Sequence, residues 1–508
     1  MARLSTLSGR PRVRGAAVIR GVILAGAIGL AGCVAAPRYE TPPAPADKGY
    51  TSKPVPEATA AADGPGGTAQ RFSTAWTVPR DWWRVFECEP LNRLIEHALA
   101  TSPTLGQARA RLIQAREVLA AQTGAYDYPQ VDTNASVRRQ RISTEALGLT
   151  AIPSPPPFTL YGASLSVSYT LDLFGARRQE LEGLRAEVDY QAYEMEAARL
   201  SLSGNITTAA VREAALRGRL EATLALIADD ERQTTVVEHR LRIGAATPLD
   251  LAARRAELAQ SRASAALLQK QIEQAHHQLA LYAGFSPAEE IPEFRLDGIK
   301  LPEQLPVSVP AALARQRPDI RAATSLLQRA SADVGVATAN LYPQITLSGG
   351  AGSQTVHAGN LFSGGTQVWN FGAGVVYPLF HGGELNARRR AALAAYDQAM
   401  EAYRDVVLHG LQEVADALTA LEGDAQTLRA RADAAAQTRF AYEVAAERHR
   451  IGSLSTYDLL ESERRMLQAL LDRIQSQSDR LSDTAALIQA LGGGWWLDTS
   501  EAPGAATP

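Results

Sequence analysis

The chain has 508 residues and a formal net charge of −3 at pH 7, with 51 Lys and Arg residues against 54 Asp and Glu residues. A nearly balanced charge without a basic patch argues against nucleic acid as a partner. Aromatic residues make up only 6% of the chain, and the abundance of Ala is typical of long, closely packed helices. Nothing in the middle of the chain resembles a linker between separate domains.

The first residues predict a targeting segment rather than part of the fold. An arginine-rich start precedes an apolar run over residues 21–31, which is too short for a transmembrane helix. The run ends in Leu30-Ala31-Gly32-Cys33, which resembles a bacterial lipobox. This resemblance implies a lipoprotein signal peptide over residues 1–32, a covalent lipid (palmitate) on Cys33 and, because Val34 rather than Asp follows, sorting to the outer membrane. The alternative is an ordinary signal peptide with a chance cysteine nearby.

Residues 33–90 are predicted to be a lipidated N-terminal tether. Residues 34–75 are rich in Pro, Ala and Gly and show no core pattern, so we expect them to be extended. Cys88 is the single cysteine left after Cys33, and the mature chain therefore has no intramolecular disulfide. Because aromatic residues lie just before it in the sequence, we expect Cys88 to be a small packing residue and not a nucleophile.

The remainder of the chain carries an internal duplication. Arg242-Ile243-Gly244 and Arg450-Ile451-Gly452 each interrupt a long helical pattern, and a glycine there suits the left-handed end of a helix. Thr247 with Pro248, and Ser455 or Thr456, are placed to cap the helices that follow. Two such helical hairpins divide the chain into a first repeat, an irregular proline-rich connecting segment, a second repeat and a C-terminal tail. These span residues 91–284, 285–310, 311–491 and 492–508.

Each repeat has the same order of elements, namely helices, two strands and a long helical hairpin. The predicted helices span residues 91–100, 105–123, 176–241, 249–282, 322–339, 384–450 and 456–491. The predicted strands span residues 131–137, 161–171, 345–351 and 369–379. All four strands alternate between apolar odd-numbered and polar or small even-numbered residues, which indicates a sheet with one apolar face. Helices of about 65 residues would reach roughly 100 Å, a length that no soluble globular domain needs.

Four amphipathic strands cannot close a barrel by themselves. Bacterial barrels begin at about eight strands, and an eight-stranded barrel is filled by its own side chains. Strand edges must also be paired in lipid, so several copies of the chain must share one barrel. Two copies give no useful lumen, three copies give twelve strands and an open pore, and the pattern leaves four copies open.

The duplicated layout, the lipobox, the paired Arg-Ile-Gly turns and the matching strand starts Tyr128-Pro129-Gln130 and Tyr342-Pro343-Gln344 resemble the TolC superfamily. The resemblance covers residues 33–491 and is closest to the lipoprotein branch that contains OprM and the NodT family. It implies a mixed α and β membrane protein and a homotrimer. Its twelve-stranded β-barrel, with four strands per chain, lies in the outer membrane and continues into a long periplasmic α-helical barrel.

The same resemblance implies the function and the partners. The chain would be the outer-membrane component of a tripartite, RND-type efflux system, a passive exit duct for drugs or other small molecules. A periplasmic membrane-fusion adaptor would meet the helical tips, and an inner-membrane RND-type transporter would supply the energy. The expected adaptor-contacting residues are Arg242, Ile243, Gly244, Arg450, Ile451 and Gly452. The alternative role for the two arginines is to complement the helix dipole at each C-terminus.

A periplasmic gate is also implied by the resemblance, formed by Tyr457, Asp458 and Glu461 on the helix that leaves the second turn. Residues three apart share a helical face, so a trimer could gather these carboxylates around one constriction. Ala253 takes the place of Glu461 in the first repeat, and we expect only the second hairpin to contribute. The alternative is that the two acidic residues solvate the outer face and pair with Arg464 or Arg465.

No constellation of residues favours an enzyme. His276 and His277 are adjacent and do not share a helical face, and the other histidines lack carboxylate or cysteine neighbours at ligand spacing. We therefore expect no catalytic residues, no metal and no cofactor beyond the lipid on Cys33. Two alternative functions stay open. An exit duct for type I protein secretion shares the whole fold, whereas a structural periplasmic coiled-coil lipoprotein leaves the four strands unexplained.

Overall fold

The computed structural model of the chain describes residues 42–43, 49–52, 54–73, 78–144, 148, 151, 153–307 and 309–497. The predicted signal peptide and its lipidation site Cys33 lie outside the described residues. Helices in the described part of the chain are either too short or too polar to cross a bilayer. The chain divides into two compact units, each built from several segments of the sequence.

The first unit includes residues 116–187 and 327–399 and contains a four-stranded sheet. Its strands are β2 (Gln130–Gln140), β3 (Phe158–Leu171), β5 (Gln344–Thr355) and β6 (Gln367–Val376). They lie in the order β2-β3-β5-β6, and all neighbouring pairs are antiparallel. β2 and β6 are therefore the edges, and each presents backbone N–H and C=O groups that have no strand partner among the described residues.

The register of the sheet places most of the apolar residues of the four strands on one face. Across the sheet this face runs through the odd-numbered residues Val131, Val167, Gly349 and Phe371. The opposite face runs through the even-numbered residues Asp132, Ser166, Gly350 and Asn370. On the apolar face Trp369 is 82% exposed and Phe371 is 78% exposed. The predicted alternation is confirmed, and its apolar face is open to the surroundings in a single chain.

The fourth strand ends earlier than the sequence predicted. Alternation suggested a strand over residues 369–379, but β6 ends at Val376. Pro378 has no N–H to donate to a neighbouring strand, and proline is found at strand ends for this reason. Tyr377 and Leu379 therefore belong to the connection to the next helix.

The two predicted hairpins are confirmed to within one residue at each end. α3 (Ala176–Arg242) and α7 (Glu384–Arg450) have 67 residues each. α4 (Pro248–Ala283) and α8 (Thr456–Ala490) return from them. The other predicted helices are α1 (Glu89–Thr101), α2 (Pro103–Asp127) and α6 (Pro318–Ala339).

The connecting segment has more structure than predicted. It contains β4 (Gln304–Pro306) and leads into α5 (Pro310–Gln316), and β4 pairs in parallel with β1 (Arg71–Ser73). Elements of three to seven residues are too short to show a hydrophobic period. A parallel pair between segments so far apart in the chain has no local signal in the sequence.

The second unit includes the described residues of 41–115, 188–326 and 400–508. Its largest core combines Trp82, Trp83 and Phe86 with buried residues of α1, α3, α4 and the end of α8. Cys88 is buried in the same core, and burial raises the pKa of its thiol. A buried, protonated thiol is a poor nucleophile, in agreement with the predicted packing role.

The described part of the predicted tether is fixed to α8 and is not simply extended. Arg480 is fully buried, and its guanidinium donates hydrogen bonds to Thr59 Oγ1 (2.8 Å), Gly66 O (3.0 Å), Thr68 O (2.9 Å) and Gln70 Oε1 (3.3 Å). A buried guanidinium without such acceptors would be strongly destabilising. Residues 59–70 and α8 therefore stabilise each other. Backbone carbonyls supply two of the four acceptors, so the amino-acid pattern gives no sign of this contact.

Candidate functional site

The two hairpin turns have the same backbone geometry. Gly244 has φ +74° and Gly452 has φ +77°, the left-handed conformation that glycine adopts without strain. In the first turn the N–H of Ala245 donates to Arg240 O at 2.7 Å, and the N–H of Gly244 donates to Leu241 O at 3.1 Å. The second turn repeats both bonds, from Ser453 to Arg448 O and from Gly452 to His449 O. This pair of bonds is the Schellman motif, and it explains the duplicated glycine.

Each turn ends in a capped helix, as predicted. Thr247 caps α4 by accepting from the N–H of Asp250, while the Asp250 carboxylate accepts from the N–H of Thr247. Pro248 is the first residue of α4. In the second turn Ser455, not Thr456, is the cap and accepts from the N–H of Asp458 at 3.1 Å.

The tips expose apolar and basic side chains together. Ile243 is 67% exposed and Ile451 is 63% exposed. Arg242 has no ion pair with any described residue, whereas Arg450 donates to Glu447 at 2.8 Å through Nε. The Arg450 guanidinium lowers the pKa of the Glu447 carboxyl. The two predicted tip arginines thus differ, since only Arg242 offers a guanidinium without a partner in the described part of the chain.

Tyr457 joins the second hairpin to the first. Arg254 on α4 donates from Nη2 to Tyr457 Oη at 2.5 Å, and its guanidinium carbon lies 5.2 Å from the centre of the Tyr457 ring. The guanidinium carbon of Arg240 lies 5.7 Å from the same ring centre. These contacts combine a charge-assisted hydrogen bond with cation–π attraction. Tyr457 therefore holds the start of α8 against both helices of the first hairpin.

The two predicted gate carboxylates have different surroundings in the chain. Asp458 is exposed, and Ser455 Oγ donates to its Oδ2 at 2.7 Å. Glu461 is half-buried between Arg254 at 3.7 Å and Arg465 at 3.4 Å. The alternative pairing of Glu461 with Arg465 thus occurs. Asp458 has no ion pair with a described residue.

A network of buried and partly buried polar side chains lies farther from the tips. Arg464 on α8 donates to Glu257 Oε2 at 2.6 Å, and its Nε lies 3.6 Å from Asp230 Oδ1. Arg254 also donates to Glu257, at 2.9 Å. Asp230 in turn accepts from Ser261 Oγ at 2.6 Å. Two arginines from different hairpins therefore share one carboxylate.

Asp229 is the most deeply buried carboxyl group of this network. It is fully buried and accepts from Gln233 Nε2 at 2.8 Å and from Arg232 Nη2 at 3.4 Å. Burial raises the pKa of Asp229 to about 6, and the nearby negative charge of Glu463 adds to the shift. Sequence reasoning missed this network and Arg254. One signal was available in the sequence. Asp229 and Asp230 follow Leu226 by three and four residues in a long amphipathic helix, so they share its buried face.

The sequence matches the outer membrane efflux protein family over residues 94–285 and 309–493. Together these two segments make up well over half of the chain. The chain belongs to this family. The predicted resemblance to the TolC superfamily is thereby confirmed, and the protein is an outer-membrane exit duct of an efflux system. Its family consists of channels rather than enzymes.

Individual relatives cover nearly the whole chain. The pyoverdine export outer membrane protein OpmQ of Pseudomonas putida is 30% identical over 455 residues, which are 88% of this chain and 95% of that protein. The toluene efflux pump outer membrane protein TtgC of Pseudomonas putida is 28% identical, over 93% of this chain and 95% of its own. The solved outer-membrane channel OprN has a TM-score of 0.78 at 28% identity, over 91% of this chain and 100% of that chain. The MtrE channel of Neisseria gonorrhoeae has a TM-score of 0.74 at 26% identity, over 91% and 98%.

Proposed function

We propose that three copies of this efflux channel share one twelve-stranded β-barrel in the outer membrane and continue into an α-helical barrel in the periplasm. The observation that carries the proposal is the four-stranded sheet, with one exposed apolar face and two edges that no other described strand pairs with. In lipid, each unpaired backbone group costs several kcal/mol. Pairing β6 of one chain with β2 of the next satisfies both edges and closes a ring after three steps.

Native mass measurement in mild detergent tests the assembly. We expect a complex of three chains, and the strand content should be lost when the complex dissociates. A monomer that keeps its full strand content, or a complex of four chains, would contradict the proposed barrel.

The hairpin tips are proposed to contact a periplasmic membrane-fusion adaptor through Ile243, Ile451 and the two arginines, on turns set by Gly244 and Gly452. Exposed apolar residues beside a basic side chain suit a protein partner. Because Arg242 has no ion pair with a described residue and Arg450 is bonded to Glu447, the Arg242→Glu variant should reduce crosslinking to the adaptor more than Arg450→Glu does. Arg255→Glu on the exposed side of α4 is a control of equal charge change. Equal crosslinking in all three variants would count against docking at the tips.

Tyr457, Asp458 and Glu461 are proposed to form the periplasmic gate, with Asp458 and Glu461 from three chains around the opening. Arg254 would hold the gate closed through its contacts with Tyr457 and Glu461. The test is single-channel conductance of the reconstituted protein. Replacing Asp458 and Glu461 together by Ala should raise conductance and reduce cation selectivity and divalent block.

Asp250→Ala is a matched control for the gate test, because the carboxylates of Asp250 and Asp458 each accept a hydrogen bond from the hydroxyl of the residue that caps their helix, Thr247 and Ser455. A change that appears in both variants reports a damaged helix cap and not a gate. Unchanged conductance in the double variant would remove Asp458 and Glu461 from the pore.

Cys33 is proposed to be the mature N-terminus and to carry the lipid anchor. Two or more acyl chains would hold the protein firmly, whereas one chain gives only marginal membrane binding. Mass spectrometry of the native protein decides this question. A free amine at Val34 or at a later residue would contradict it.

An inner-membrane RND-type transporter is the proposed energy source, and small molecules are the proposed cargo. The efflux names of the relatives support this choice over protein secretion. Deleting the adaptor and the transporter together in cells should sensitise them as much as deleting the channel does. Secretion of a protein substrate that depends on this channel would favour the secretion duct instead.

A further inference from the structure

The even-numbered face of the four-stranded sheet is polar but carries almost no charge. Its residues are mostly Ser, Thr, Asn, Gln and Gly. Among the described strand residues on this face, the charged ones are Asp132 and Arg138, both on β2. The two residues are six positions apart along the strand, a distance of about 20 Å.

Arg138 lies at the end of the sheet that is farthest from the helices of the same unit. α2 joins β2 at Gln130 and α3 follows β3 at Leu171, so Asp132 is near those ends and Arg138 is at the other. Arg138 is directly opposite Leu160 in the ladder. It is exposed, and no hydrogen bond or ion pair joins its side chain to the described residues.

Arg139, the next residue, is on the opposite face. It is paired with Thr159, and the neighbouring pair on the same face is Val137 with Tyr161. That face is the apolar one. Two consecutive arginines of one strand therefore face opposite sides of the sheet. In a barrel with a polar interior, Arg138 faces the lumen and Arg139 faces outward.

We propose that Arg138 makes the outer mouth of the barrel select for anionic over cationic solutes. The inference rests on the proposed trimeric barrel, in which three copies of Arg138 form one ring. Rings of Arg or Lys attract anions in other pores. Electrostatic influence extends about 10 Å at 0.1 M salt, so the Asp132 ring about 20 Å away does not cancel it. The intervening Asn134 and Ser136 add no charge.

The test is the reactivity of a cysteine placed beside Arg138 in the trimer, in proteoliposomes. Ser136→Cys lies on the same face two residues away, and the native Cys88 is buried. Two methanethiosulfonate reagents are compared, one with a sulfonate and one with a trimethylammonium group, both added from outside. This readout does not require passage through the periplasmic gate. A potential of about one kT per unit charge changes each rate about threefold in opposite directions.

We expect Arg138→Gln to lower the anionic-to-cationic rate ratio by roughly sevenfold at low salt, and about 1 M salt should abolish the difference. Arg139→Gln is the matched control and should leave the ratio unchanged. Adding Leu160→Arg to Arg138→Gln returns a positive charge to the same face and should restore the ratio. A ratio that is insensitive to Arg138, or equally sensitive to Arg139, overturns the inference.

The same experiment separates this inference from the proposed barrel. If the cysteine of Ser136→Cys reacts with neither reagent while that of Ala135→Cys reacts with both, the polar face does not line a lumen and the barrel proposal fails. If Ser136→Cys reacts and Ala135→Cys is protected by lipid, the barrel stands. In that case the rate ratio tests the role of Arg138 independently of the barrel.

Discussion

The two hairpin turns share their backbone and differ in their side chains. Both have a left-handed glycine, the same pair of Schellman hydrogen bonds and a capped helix. Seven residues after Arg242 and Arg450, the first hairpin has Leu249 and the second has Tyr457. Four residues further on, Ala253 corresponds to Glu461, and one residue after that Arg254 corresponds to Ser462.

These differences are complementary. The first hairpin supplies the cation Arg254, and the second supplies the phenol of Tyr457 and the carboxylate of Glu461, which both contact it. Farther from the tips, Asp229 and Asp230 of the first hairpin correspond to the uncharged Gln437 and Thr438. Arg464 of the second hairpin lies against Asp230. The two hairpins therefore share a backbone geometry and carry different side chains that contact each other.

The largest effect should come from Asp229, a fully buried acid that the uncharged Gln437 replaces in the second hairpin. The pKa of Asp229 is raised from 3.8 to about 6 in the folded chain, so the folded state binds a proton that the unfolded state has lost. Stability should therefore fall as pH rises from about 4 to about 6, by about 3 kcal/mol at most. Asp229→Asn should remove this part of the pH dependence.

The measurement for Asp229 is the free energy of unfolding as a function of pH, compared between the native chain and the variant. Glu231→Gln, at an exposed neighbouring position that pairs with Arg262, is the control and should keep the native profile. Parallel profiles for the native chain and Asp229→Asn would show that Asp229 is not a proton-sensitive member of the network.

Removing the cation that joins the hairpins should have the next largest effect. Arg254→Met leaves Tyr457 Oη and the buried Oε2 of Glu461 without their nearest partner, and the loss should be about 2 kcal/mol. Arg255→Met removes an exposed ion pair with Glu238 and should cost less than about 0.5 kcal/mol. Denaturant unfolding of both variants, with Tyr457→Phe for a double-mutant cycle, checks the coupling. Additive effects of Arg254→Met and Tyr457→Phe would contradict a direct contact.

The shared backbone predicts equal losses at the two glycines. An added Cβ at Gly244 or Gly452 would meet no atom within 4 Å, so an alanine costs only the backbone strain of positive φ. Gly244→Ala and Gly452→Ala should each lose about 1–1.5 kcal/mol of unfolding free energy. A difference between them larger than this value would show that the two turns are not equivalent.

The helix caps should give the smallest and again nearly equal effects. Thr247→Ala and Ser455→Ala each remove one acceptor from a backbone N–H, at a cost of about 1 kcal/mol or less. Amide hydrogen exchange in the first turns of α4 and α8 measures the loss locally. Exchange that rises in one helix only would break the equivalence of the caps.

Local chemistry explains why most of the fold was predictable. The alternation along residues 161–171 determines which side chains of β3 share a face. The register of β3 with β5 agrees with it, because odd-numbered residues pair with odd-numbered residues. Glycine and cap residues at Gly244 and Thr247 fix where helices end and begin. The short β1–β4 pair and α5 escaped prediction because elements of a few residues carry no measurable period.

The sequence by itself determined the duplication, the two faces of the sheet, the hairpins and the position of each turn, because these depend on residues close together in the chain. The tertiary structure alone decided which partners meet. Arg254 and Tyr457 are 203 residues apart and Arg480 and Thr59 are 421 apart, and no local period encodes such pairs. A buried polar side chain stabilises the fold only when neighbouring atoms form hydrogen bonds with it. Those atoms come into reach only after the helices have packed.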